Sequence, residues 1–229
     1  MEDEGQKIGY SHFGEDHIVN FILGPDRDKG LYVDIGCYHP TLFSNTYAFY
    51  KTGWRGVLVD ANLFMINLCR EMRPEDICLN LAVGRSDGKA TLYKFNQWGS
   101  SNTIDPDFRD HIASSQGVEV TESVEVEMRS LRSLFKEYVG DRQIDFLNID
   151  IENVDIDALR GNDWEKYRPT VIAIEDLSFD AHDPGKSNIH ALLVDQGYQL
   201  ESRAVFTSIY IASEGIDSLN PAWKQGRQF

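Results

Sequence analysis

Five acidic residues, Asp34, Asp60, Asp150, Glu175 and Asp176, close short apolar runs with the composition of β-strands. The runs are LYVDI (31–35), GVLVD (56–60), IDFLNID (144–150) and TVIAIED (170–176). Any one acid has an ordinary explanation, because Asp and Asn favour helix caps and turns. Acids closing four strands at one edge are harder to explain that way. Like charges gathered there repel, so a cation or a donor-rich group belongs among them. In an open α/β sheet this edge is also where ligands bind, outside the carboxyl ends of the strands.

Asp60 has a specific task available, since an acid about 20 residues beyond a glycine turn commonly takes the hydroxyls of a ribose. The turn itself, DIGCYHP (34–40), carries one glycine and a carboxylate in place of GxGxxG. That arrangement repels a diphosphate and argues against a nicotinamide oxidoreductase. It suits a ribose-bearing ligand with positive charge, and S-adenosylmethionine, with its ammonium and sulfonium, fits the description. For a general base, histidine has a suitable ordinary pKa, near 6.5. His39 follows the first strand and His182 the run 170–176, both on the ligand edge, whereas His111 and His190 fall within helical patterns.

The elements that position these groups alternate. Two further strand-like runs, DICLNLAV (76–83) and SIYIAS (208–213), join the four above, and helical patterns cover 45–52, 62–72, 131–139 and 181–196. This alternation predicts α/β architecture: a single doubly wound, mostly parallel sheet in one domain over residues 1–229. Region 84–128 departs from it. Segments 89–95 and 118–128 alternate apolar and polar residues, as half-exposed antiparallel strands do, around the polar stretch NQWGSSNTIDPDF (96–108). A connection of that length reads as an antiparallel insertion or lid.

The net charge of −15, from 22 basic and 37 acidic residues, comes without a basic cluster, which excludes a backbone-tracking nucleic-acid binder. Three cysteines, Cys37, Cys69 and Cys78, read as reduced thiols rather than a disulfide or zinc framework. The opening MEDEGQK has no apolar signal segment, and no run approaches the ~20 residues of a membrane helix. A cytoplasmic protein acting on a small molecule is expected, with a homo-oligomer left open.

Five stretches in order, YSHFGED (10–16), YVDIGCYHP (32–40), SNTYAFYKTGWRG (44–56), IDFLNIDIENVDIDAL (144–159) and NDWEKYRPTVIAIED (162–176), resemble the FkbM-type methyltransferases, a branch of the class I S-adenosylmethionine-dependent fold. The resemblance implies O-methylation of a sugar hydroxyl, on a nucleotide-linked acceptor, in bacterial surface-polysaccharide synthesis. It places Asp34 and Gly36 beside the methionine portion of the cofactor and Asp60 on the ribose. Ala82 falls at the adenine pocket, and Asn45 and Ala61 are counted with the cofactor site. Tyr10, Ser11, His12 and Glu15 belong to a segment expected to fold over the cofactor, His12 standing where relatives often carry glutamine. Related macrolide-sugar O-methyltransferases imply a divalent metal, Mg²⁺, Mn²⁺ or Fe²⁺, on Asp150, Glu175 and Asp176, where it would make the attacking hydroxyl more acidic. Asn153 replaces a glycine usual in relatives; Asn tolerates the left-handed backbone, and its larger side chain reaches toward the acceptor. A non-sugar acceptor and a catalytically silent partner subunit are the alternatives.

Overall fold

The computed structural model describes residues 8–25, 27 and 29–226. The opening residues MEDEGQK, read above as no signal segment, lie outside them. The strands in chain order are β1 (Leu31–Ile35), β2 (Arg55–Asp60), β3 (Ile77–Asn80), β4 (Ala82–Gly84), β5 (Gly88–Lys94), β6 (Glu122–Ser130), β7 (Phe146–Ile149), β8 (Val171–Glu175), β9 (Tyr198–Ala204) and β10 (Thr207–Ala212). The helices are α1 (Glu15–Leu23), α2 (Tyr47–Lys51), α3 (Leu63–Met72), α4 (Pro106–Gln116), α5 (Leu131–Leu134), α6 (Asp155–Arg160), α7 (Asn188–Asp195) and α8 (Pro221–Gly226). No helix among the described residues is long and apolar enough to cross a membrane.

Seven strands form one sheet in the order β3-β2-β1-β7-β8-β10-β9. It is parallel from β3 to β8, and β10 runs antiparallel to both β8 and β9. The unbroken apolar runs are explained by burial on both faces. On one face Val33, Ile35, Leu147 and Ile174 pack against Leu134 of α5, Leu159 of α6 and Leu193 of α7. On the other, Tyr32, Leu58, Phe146 and Ile209 pack against Ile22 of α1, Phe49 of α2, Ile66 of α3 and Trp223 of α8. This is the doubly wound sheet expected. The chain moves outward from β1 to β3 and then returns to the other side of β1 as β7. The switch point therefore lies between the carboxyl ends of β1 and β7, where Asp34 and Asp150 are found.

Region 84–128 forms a second sheet, β4-β6-β5, whose β5 and β6 pair antiparallel in the register Lys89↔Glu127, Thr91↔Glu125. The run 76–83, read as one strand, splits between the two sheets. Asn80 turns its side-chain amide onto the carbonyls of Asp60 and Ala61 and ends β3 there. Helix α4 emerges from the stretch read as a loop: Asp105 caps it by accepting from Asp107 N, and Pro106 stands at its first turn. Helix α7 begins at Asn188 rather than near 181, because Pro184 and Gly185 make a separate turn and Ser187 supplies the cap. The half-polar strand β9 was not read from the sequence.

Candidate functional site

A cavity of about 340 Å³ opens at the switch point, walled by the ends of β1, β2, β7 and β8 and by the segments before α1 and α4. Gly36 makes the wall between β1 and β7. Its φ is +80°, and a Cβ there would lie 1.8 Å from the carbonyl oxygen of Asp150, so no other residue fits without moving β7. Beside it the buried Asp34 accepts from Thr46 Oγ1 at 2.6 Å and from Asn148 Nδ2 at 2.9 Å. Asn148 in turn accepts from Asn45 Nδ2 at 2.8 Å. Burial pushes the Asp34 carboxyl above its ordinary range, opposed by the Thr46 hydrogen bond and the Arg73 charge. This hydrogen-bond chain ends on an unmet demand: Asn45, only 8% exposed, leaves Oδ1 in the cavity wall without a partner among the described residues. A buried acceptor without a donor is costly, and a ligand N–H would satisfy it.

Asp60, at the end of β2, closes the turn that follows Gly36. One carboxylate oxygen accepts from Tyr38 N at 2.9 Å and the other from Asn62 N at 2.7 Å. Burial lifts it to about 6 against these two backbone bonds. Ala61, Leu81 and Ala82 form an apolar wall beside it, the place expected for an adenine ring. Asp60→Ala is predicted to weaken S-adenosylhomocysteine binding by roughly 2–3 kcal/mol, the scale of charged hydrogen bonds lost in a pocket. Calorimetric titration of a variant with native circular dichroism measures this; unchanged affinity would remove Asp60 from the site.

The segment before α4 closes the cavity over this wall, with Gly99, Asn102 and Thr103 facing inward. It is pinned at several points. Tyr38 donates to Trp98 O at 2.8 Å, Asn62 Nδ2 to Gln97 O at 3.0 Å, and Thr103 Oγ1 to Glu152 O at 3.0 Å. Asn153 has φ +76°, the left-handed backbone anticipated, but its side chain meets Asp105 of this segment rather than turning inward. Hydrogen exchange across 96–104 is predicted to slow when S-adenosylhomocysteine and an acceptor are bound. Equal, strong protection with and without ligand would make the segment a fixed wall.

Six acids line the cavity: Glu15, Asp34, Asp60, Asp150, Glu152 and Glu175. No lysine or arginine among the described residues lines it. Asp150 is solvent-accessible where it lines the cavity. Desolvation, then the charges of Glu175 and Asp34, raise its carboxyl well above the usual range. Glu175 is raised by burial and by Asp155. Glu152 is pushed up to about 9 by burial and by Asp150. Its backbone sits at φ +55°, immediately before Asn153 at +76°, a strained pair of the kind that clusters at functional sites. Glu152 was not read from the sequence, because nothing in DIEN distinguishes it from a solvated acid.

The predicted metal set does not assemble. Successive strand residues point to opposite faces, so Glu175 faces the cavity and Asp176 faces away. The buried Asp176 carboxylate accepts from Ser178 Oγ at 2.8 Å and from Ser187 Oγ, whose hydroxyl also caps α7. Among the described residues no three His, Cys, Asp or Glu side chains converge to hold an ion. Asp150 and Glu175 thus line the cavity without Asp176, and the three carboxylates do not form one donor set. The two histidines expected as bases also lie outside the cavity lining. His39 Nδ1 accepts from the backbone N–H groups of Thr41 and Leu42, closing a turn. His182 is exposed, its backbone N–H donating to Asp180 Oδ1. Tyr10 and Ser11 serve the turn before α1, Ser11 Oγ donating to Asp16 and accepting from Gly14 N; His12 and Glu15 of that segment do reach the cavity.

Curated protein sequences give no match. A solved structure of a TehB-like SAM-dependent methyltransferase from Corynebacterium glutamicum ATCC 13032 Kitasato aligns with 10% identity and a TM-score of 0.44, covering 92% of this chain and 91% of that one. Residues 34–200 match the methyltransferase FkbM domain, a span that begins at Asp34 and takes in Asp60, Asp150 and Glu175. The chain belongs to the FkbM methyltransferase family and is an S-adenosylmethionine-dependent methyltransferase.

Proposed function

We infer that the enzyme methylates a sugar hydroxyl and that Asp150 takes the hydroxyl proton. S-adenosylmethionine, when bound, supplies a methyl group on a sulfonium and leaves as the neutral thioether. The residues present fit it: Asp60 would hold the ribose, Ala61 and Ala82 the adenine, and the unpartnered Asn45 Oδ1 the ammonium. The observation that carries the base assignment is that Asp150 faces the cavity at the switch point. The enclosing walls and the neighbouring Glu175 charge raise its carboxyl, and Glu175 is a second raised carboxyl on the same lining. A carboxylate of ordinary pKa is a poor base for an alcohol, whereas one lifted toward neutrality is far better matched. Glu175, on the adjacent strand, lines the same end of the cavity. The role in surface-polysaccharide synthesis rests on the family resemblance.

Incubation with S-adenosylmethionine and a panel of sugars, with the product mapped by NMR, tests this reading. An O-methyl sugar formed with full activity after exhaustive chelation is the expected result. Loss of turnover on chelation, restored by Mg²⁺ or Mn²⁺, would sink the carboxylate-base reading. Methyl transfer to no sugar would sink the sugar reading.

A further inference from the structure

The cavity has two chemically different halves. At the ends of β1 and β2, Asp34, Asn45 and Asp60 account for the cofactor. At the ends of β7 and β8, Asp150, Glu152 and Glu175 remain for the acceptor, and Glu15 joins them from α1, held by Thr207 Oγ1 at 3.2 Å and Phe13 N at 2.8 Å. The mouth on this side is aromatic. His12 stacks on Phe13 at 4.0 Å and lies 4.5 Å from Phe43, while Phe13 meets Phe206 edge-on at 5.7 Å. Phe13, Phe43 and Phe206 are all exposed large hydrophobic residues.

Among the described residues no lysine or arginine lines the cavity to answer these acids. Arg203, whose charge reaches Glu175, is committed to Asp176 O at 2.7 Å and Ser208 Oγ at 2.6 Å and stacks on Phe179, outside the cavity lining. Carboxylates and aromatic side chains lining one cavity are the two kinds of group that recognise an alkylammonium, the first by charged hydrogen bonds and the second by cation–π attraction. The same surroundings repel a phosphate, since unit charges a few ångströms apart interact by several kcal/mol at low effective dielectric.

We propose that the acceptor carries an ammonium group beside the hydroxyl to be methylated, as an amino sugar does, and that Glu152 and Glu175 bind it beneath the Phe13–Phe43–Phe206 rim. The proposal rests on the sugar reading and narrows it, and it replaces the nucleotide-linked acceptor expected from the sequence. The left-handed backbone at Glu152 and Asn153 then has a purpose: it turns the Glu152 carboxylate into the cavity while Asn153 anchors the closing segment.

The test compares kcat/KM for D-galactosamine, N-acetyl-D-galactosamine and UDP-N-acetylgalactosamine, with the corresponding gluco sugars alongside. The free amine is expected to exceed the N-acetyl sugar by roughly tenfold or more, the scale of one charged hydrogen bond, and the nucleotide sugar by more still. Glu152→Gln should bring the amine to N-acetyl ratio close to unity, in a variant shown to be folded by unchanged S-adenosylhomocysteine binding. Equal turnover of amine and N-acetyl sugars, or a preference for the nucleotide sugar, would overturn the proposal and leave the sugar reading standing. Transfer to no sugar at all would overturn both.

Discussion

Replacing Asp150 by asparagine should lower kcat by roughly 10²–10⁴-fold, the usual worth of a positioned general base, while S-adenosylhomocysteine affinity stays within about threefold. The substitution is nearly isosteric, and the main-chain bond that fixes the position, Asp150 N to Ile35 O at 2.9 Å, is retained. Two readouts separate a base from a residue that merely binds acceptor. A binding role would raise KM with kcat preserved, whereas loss of a base lowers kcat itself. The pH profile gives the second. Asp150 works as a base only when ionised, so the wild-type rate should climb with pH through an apparent pKa above the ordinary carboxylate range. That limb should vanish in the variant. Stability supplies an independent check. An acid whose folded pKa is raised holds its proton more tightly folded than unfolded, so the stability it confers is lost as pH climbs past the unfolded value toward the folded one. The unliganded wild type should therefore lose more stability than Asp150→Asn between about pH 4 and 8. A variant that keeps its kcat and its alkaline limb would end the assignment.

The parts of this site that were legible in the sequence are those set by strand chemistry. Asp34, Asp60, Asp150 and Glu175 each terminate an apolar run, and parallel strands carry such ends to one edge whatever the details of packing. The resemblance places Asp176 beside Glu175 on a metal, but one step along a pleated chain reverses the face, and Ser187 holds the carboxylate. His39 and His182 were chosen for their ordinary pKa. The structure makes raised carboxyls instead, and the burial that raises them is a property of the assembled cavity, with no trace in local sequence. Helix α4 had a usable signal in Asp105-Pro106, outweighed by the polar turn residues before it. Nothing in the stretch MRPED marks Arg73, and it carries the second large effect.

Arg73→Met should destabilise the protein by roughly 3–5 kcal/mol, the usual consequence of removing one partner from a buried ion pair. Arg73 is 1% exposed, and its Nε lies 2.8 Å from Asp76 Oδ2, with both side chains essentially inaccessible. Its other nitrogens donate to the Tyr32 hydroxyl at 2.7 Å and to Thr46 Oγ1 at 3.1 Å. Tyr32 itself donates to Asp76, which also accepts from Gly56 N at 2.8 Å. Taking away the guanidinium strands the Asp76 charge inside the face of the sheet that Tyr32 and Phe49 help to fill. It also frees Thr46, whose hydroxyl orients Asp34 at the switch point. Two consequences follow from one residue. In urea the midpoint should fall with the slope unchanged, and the double variant Arg73→Met/Asp76→Asn should recover part of the loss, because the stranded charge is gone. S-adenosylhomocysteine affinity should also drop in the single variant, since Asp34 loses both the Thr46 orientation and the Arg73 charge that lowers its pKa. A loss under about 1 kcal/mol, or a double variant less stable than the single one, would show that the buried Arg73–Asp76 pair is dispensable.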